Sequence, residues 1–154
     1  MQPVINIAAN AEDWRGVALS NFCLSPFVLE GVLLASVEGF IQGIKFRPGD
    51  PLRPAAFGSS GFEAKAFSAR AGRAGAWWAD QQHEYGSPSH LALIESAIRA
   101  RIAQNGGLQA ALRSTNPATI VHETGVPESP WTSLKASDFC RIITAIRTEL
   151  LSVR

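Results

Sequence analysis

With 154 residues, 46% of them hydrophobic and 18% charged, the chain has the length and composition of one globular domain that buries its own core. Its net charge of +1 supplies no global attraction to nucleic acid or membrane, so any anion recognition has to be local. No stretch nears the roughly 18 unbroken apolar residues of a membrane span, and the N-terminus lacks the basic and apolar regions of a secretory signal, so the cytoplasm is the expected compartment. Cys23 and Cys140 lie far apart outside any CxxC and read as small apolar residues rather than a disulfide or metal pair.

Along the chain, VINIAA predicts a short strand. PFVLEGVLLAS predicts a hairpin turning at Glu30-Gly31, because glycine supplies the positive φ of a tight turn. Ser36 suits an N-cap and opens a helix through SVEGFIQGIKF. The prolines 48, 51 and 54 mark Arg47 to Ser60 as loop. GFEAKAFSARAGR reads as helix with Phe62, Ala66 and Ala69 on one side, and GAWWADQQHEYGSPS as a second loop.

The clearest helix follows: Leu91, Ile94, Ile98 and Ile102 recur at helical spacing, and Gly106 reads as its end. LQAALRST is a short helix and ATIVHE a short strand. A last helix carries Phe139, Ile142, Ile146 and Leu150. These elements predict a mainly α, α-rich α+β fold, with packed helices and a small hairpin or sheet near the N-terminus, as one domain over 1–154.

Within SVEGFIQGIKF, Glu38, Gln42 and Lys45 fall at i, i+4 and i+7, on one line along a helix. Glu38 and Lys45 are then about 10 Å apart along the axis, too far for a simple ion pair. Gly39 and Gly43 lower helix propensity by about 1 kcal/mol each relative to alanine. On spacing alone, a solvated polar stripe with incidental glycines is the better reading. If the stripe instead lines a ligand cleft, the glycines would keep that wall open.

The series LSNF, PFVLEG and SVEGFIQGIKF resembles the opening of the NADAR family, in which Ser-Asn-Phe precedes a hairpin and a helix of the form S-x-E-H-x-x-Q-x-x-K-F. ARAGR resembles the family's Gly-Arg segment, here followed by Trp77 and Trp78. AIRARIAQN with LQAALRST, then ATIVHET, ESPW and IRTELL, are similar to its later segments, in order. The resemblance spans most of the chain and implies a single NADAR-like domain acting as an N-glycosidase. Its substrate would be an ADP-ribosylated or phosphoribosylated base, of the ADP-ribosyl-guanine or riboflavin-intermediate class. The implied partner is a small nucleotide or an ADP-ribosylated nucleic acid, with no membrane and no cofactor.

By the same resemblance Glu38, Lys45 and Glu128 are the expected catalytic residues. Ser20, Asn21, Phe22, Gln42, Arg70, Arg73, Trp77, Trp78 and Trp131 are the expected substrate-binding ones. The chemistry fits these types. Breaking a glycosidic C–N bond builds positive charge on the sugar, which a carboxylate can stabilise, and a second carboxylate would divide acid and base roles. A lysine of lowered pKa could instead attack C1 and form an imine. Tryptophan faces stack on planar bases. Lys45, Arg47, Arg53, Lys65, Arg70 and Arg73 stand against only Asp50 and Glu63 in their segment, a local excess suited to phosphate.

Two departures stand out. Gly39 occupies the family's histidine position, and Trp131 is followed by TSLKASDFCRII instead of a glycine-rich loop with an asparagine. They keep open a catalytically reduced nucleotide- or ADP-ribose-binding module, and a plain interaction domain. His83, His90 and His122 lack metal-ligand spacing and read as exposed or satisfied, so no metal is expected. The motifs specify neither the leaving base nor an oligomeric state.

Overall fold

The structure, a computed structural model, describes residues 2–153. In chain order it contains β1 (Val4–Asn6), α1 (Trp14–Leu19), β2 (Phe27–Leu29), β3 (Val32–Leu34), α2 (Val37–Gly43), α3 (Leu52–Phe57) and α4 (Gly61–Ala66). A 3-10 turn over Phe67–Ala69 leads to β4 (Ala76–Trp78), β5 (Gln81–His83), α5 (Pro88–Ala103), α6 (Gly106–Ser114), β6 (Thr119–Val121) and α7 (Ala136–Ser152). The strands pair as three two-stranded sheets, so the fold is mixed α+β. Residues 1–20 with 102–154 form one compact unit, and residues 21–101 a second.

In the first unit β1 and β6 pair in parallel, with Ile5 opposite Ile120. Asp13 caps α1 by accepting from the Arg15 amide at 2.9 Å, and the Asn105 side chain caps α6 by accepting from the Leu108 amide. Gly106 therefore opens α6, whereas the sequence reading had it end the preceding helix. The stripe of α7 is as expected for Phe139, Ile142 and Ile146, which are buried, while Leu150 at its end is half-buried. Arg147, also buried, donates through Nη1 to Ala118 O at 2.7 Å and Thr115 Oγ1 at 3.2 Å. Arg147→Met keeps the apolar stem but leaves those acceptors without the donor. It is expected to lower unfolding free energy by about 1–3 kcal/mol in urea denaturation.

In the second unit, Glu30 (φ 48°) and Gly31 (φ 82°) form the two-residue turn that the hairpin twist demands. Ser36 caps α2 as expected, its Oγ accepting from the Gly39 amide at 2.9 Å and donating to Ser59 O at 2.8 Å. The helix stops at Gly43 rather than running to Phe46. Continuing it would require residue 48 to donate to Ile44 O, and Pro48 has no N–H. The Trp77 amide takes that carbonyl instead, at 2.8 Å, anchoring β4 to the end of α2.

Three further readings are corrected here. The expected loop Arg47–Ser60 contains α3, because Pro51 and Pro54 fall at its cap and first turn, where no intrahelical N–H is needed. The expected loop around Trp77 contains the β4–β5 hairpin, whose turn residues Ala79 (φ 51°) and Asp80 (φ 59°) include no glycine to announce it. The segment after Gly61 is helical only to Ala66 before its 3-10 turn. Its buried residue is Ala64, while Phe62 is 79% exposed.

The glycines of α2 face α3. A Cβ on Gly39 would lie 2.5 Å from Ala56 O and 2.6 Å from Ser59 O, and one on Gly43 2.3 Å from the Phe57 ring. They serve helix-to-helix contact, not an open wall for a ligand. Phe40, Phe57 and Trp78 pack beside them, with ring centroids 5.0 to 6.3 Å apart.

Candidate functional site

Glu38 begins the site. It lies in the first turn of α2, is 7% exposed, and its amide donates to the backbone carbonyl of Asn21 at 3.0 Å. One turn later Gln42 donates through Nε2 to Glu38 Oε1 at 2.9 Å, the i, i+4 contact that the spacing implied. That bond leaves Gln42 Oε1 buried with no partner within the protein, and Asn21 Oδ1 is in the same condition. One of these acceptors is on the residue that binds the carboxylate, the other on the residue whose backbone carbonyl holds the Glu38 amide.

Lys45 follows the helix in a tight turn, its amide bonded to Gln42 O at 3.2 Å. Burial pushes its ammonium down to about 8; the charge of Glu38 holds it up, while Lys65 and Arg73 push it further down. The side chain therefore carries substantial neutral amine near pH 8. Labelling of Lys45 by an amine-selective reagent, followed by peptide mass spectrometry, is expected to show a midpoint near pH 8. Glu38→Gln removes the charge that favours the ammonium, so the midpoint should move lower still.

The tryptophan pair divides. Trp78 is buried and donates through Nε1 to Glu30 Oε2 at 2.6 Å, which makes it a packing residue of the aromatic cluster. Trp77 is half-buried, with the Arg47 guanidinium 5.2 Å from its ring centre. Arg70 and Arg73 lie exposed after the 3-10 turn, and Arg73 is within electrostatic range of Lys45. Phe22 meets Phe62 edge-on at 5.1 Å, and its carbonyl accepts from the Gly61 amide at the start of α4.

Ser20, Glu128 and Trp131 belong to the other unit. Ser20 is buried and closes α1 through its amide. Glu128 is exposed, and its carboxylate accepts from the Ala136 amide at the start of α7, a favourable place for an anion. Trp131 is 54% exposed, its amide bonded to Ser129 Oγ. The same unit has a recess of about 310 Å³ between β1 and residues 10–13, lined by none of the expected site residues.

The sequence reading missed His90 and Tyr85. His90, near the start of α5, is only 1% exposed; its Nδ1 accepts from the Gly86 amide at 3.0 Å, and Nε2 is buried with no partner within the protein. It is thus neither exposed nor fully satisfied. Tyr85 links it to Lys45: the tyrosine ring centre is 5.0 Å from the imidazole centre and 5.8 Å from Lys45 Nζ. A lone histidine about 45 residues from the lysine carries no spacing signal that could have revealed this. Among the described residues no group of three or more His, Cys, Asp or Glu could hold a metal.

The family described as Bacteriophage protein GP30.3 matches residues 13–148. The chain belongs to that family. A relative from Enterobacteria phage T4, "Uncharacterized 17.1 kDa protein in Gp30-rIII intergenic region", is 28% identical over 143 residues, covering 89% of this chain and 93% of the T4 protein. Among solved structures, the NMR structure of the E. coli protein YbiA is similar over all of this chain and 91% of its own, with TM-score 0.68 at 20% identity. The fold of this GP30.3 family member is that of YbiA, a NADAR protein, as the ordered motifs implied.

Proposed function

We propose that the chain is an N-glycosidase that hydrolyses the C–N bond between a base and a ribose carrying phosphate or ADP-ribosyl. The observation that carries this reading is the alignment along α2 of a buried carboxylate in its first turn, Glu38, with a half-buried lysine of lowered pKa just past its last, Lys45. The unpartnered acceptors of Asn21 and Gln42 suit ribose hydroxyls. Lys65, Arg73 and Arg47 supply positive charge for phosphate, and Trp77 a partly exposed face for a base.

As C1–N cleavage proceeds, the departing base takes a proton and the sugar gains oxocarbenium character. Glu38 stabilises that charge and orients the water that adds to C1. Alternatively, neutral Lys45 attacks C1 and holds the sugar as an imine until water displaces it. Trp78 packs in the core, so within the pair Trp77 takes the stacking role in this reading. Glu128, which caps α7, is assigned no catalytic step.

The second reading, a catalytically reduced nucleotide- or ADP-ribose-binding module, draws on one specific observation. Residue 39 has no room for the side chain that the family resemblance expects beside the glutamate. The purified protein incubated with ADP-ribosylated guanine in DNA or RNA, and with pyrimidine phosphoribosides, should release free base detectable by mass spectrometry. ADP-ribose binding without release from any of these substrates would favour the binding module. No helix among the described residues is long and apolar enough to cross a membrane.

A further inference from the structure

We propose that His90 is a positioning residue for Lys45. Its Nε2–H, held in that tautomer by the Gly86 amide, is the donor that meets the Lys45 nitrogen, or the oxygen of an adduct formed on it, once that nitrogen is neutral. The proposal rests on the role given above to Lys45 as an amine nucleophile.

The tautomer follows from donor and acceptor roles. An amide N–H can only donate, so Nδ1 must accept from Gly86 and a neutral ring must carry its proton on Nε2. That N–H is buried with no protein partner, an arrangement disfavoured unless something uses it. Both Lys45 and His90 lie against the Tyr85 ring. An ammonium has no lone pair to accept the imidazole proton, whereas a neutral amine has one, as does the hydroxyl of a carbinolamine. The donor therefore favours the neutral form of Lys45 at rest. When the amine's lone pair turns to C1 the N–H is released, and it is then free for the hydroxyl of the adduct that follows.

The charges around the pair agree with this division. Lys45 is approached by Glu38 of α2, Lys65 of α4 and Arg73 after the 3-10 turn. His90 is approached by Lys45 and by His83 of β5, and burial with those two neighbours holds its ring down to about 4. The imidazole is thus neutral at physiological pH and gives a hydrogen bond without giving up its proton. In the covalent step the Lys45 amine displaces the base at C1, the base leaving with the amine's proton. Ring opening turns the sugar–lysine adduct into the imine, and water adds to it as the carbinolamine that releases the sugar and restores the amine.

Two measurements on the full chain test this. In the first, histidine ring nitrogen NMR should show Nε2 protonated, Nδ1 bare and no ring protonation down to about pH 5. A step in the His90 ring shifts should appear near pH 8 as Lys45 titrates and vanish in Lys45→Met. Protonation in the ordinary histidine range, the opposite tautomer, or a spectrum indifferent to Lys45→Met would overturn the proposal.

In the second, ribose 5-phosphate and borohydride should trap a reduced imine on Lys45, read by mass. His90→Phe should lower the yield about tenfold, while His90→Gln, which keeps an N–H donor, should stay within about threefold of the native chain. Native yield in His90→Phe would also overturn it. Should the chain release base from no glycoside, the glycosidase reading falls, and the ring titration, which needs no substrate, still decides this one.

Discussion

Glu38→Gln is expected to reduce base release by about 10²–10⁴-fold, the range for losing a group that acts on the reacting atoms. Glutamine keeps the length of the side chain and an oxygen for the Gln42 Nε2–H, now bonded to Glu38 Oε1 at 2.9 Å, so the helix should persist. It cannot carry the negative charge that balances a developing oxocarbenium ion. Mass-spectrometric base release alongside thermal unfolding separates the effects: a large fall in rate with a nearly unchanged midpoint is the expected pattern. Unchanged release would remove Glu38 from the chemistry.

Gly39→Ala should destabilise the protein by about 1–3 kcal/mol or more, although it adds only a methyl group. That methyl would lie 2.5 Å from Ala56 O and 2.6 Å from Ser59 O, and backbone oxygens cannot rotate out of the way. The α2–α3 contact would have to open, disturbing the Ser36 to Ser59 bond. Gly106→Ala is the matched control: its Cβ would meet nothing within 4 Å, at the first residue of α6, so stability should hold or rise slightly. Comparable losses in both variants by urea denaturation would show that helix propensity is irrelevant and that the contact with α3 does not govern residue 39. Gly43→Leu is likewise expected to disrupt the second unit, because the Phe57 ring already fills the space above that residue.

Local signals in the sequence identified the elements whose causes are local. The Ser36 cap, the Glu30-Gly31 turn and the apolar stripe of α7 each depend on residues a few positions apart. The alignment of Glu38 with Gln42 was legible for the same reason, since one helical turn fixes it, but not its burial. Spacing alone favoured a solvated stripe, whereas both side chains are buried and bonded to each other. Where signals were ambiguous, reading failed. Pro51 and Pro54 permit the start of a helix as well as a loop, and a turn made by Ala79 and Asp80 lacks the glycine that marked its counterpart.

The sequence by itself determined the carboxylate, the amide and the lysine in line along one helix and just past its end, and the ordered motifs that carried the family resemblance. Tertiary structure decided the rest. It closed Gly39 and Gly43 against α3 and gave Ile44 O, which Pro48 cannot bond, to the Trp77 amide. It sank Trp78 into the aromatic cluster and brought Tyr85 and His90 up to the lysine. Periodicity reports which side of an element is apolar, but which backbone or ring meets that side depends on contacts between residues remote in the chain.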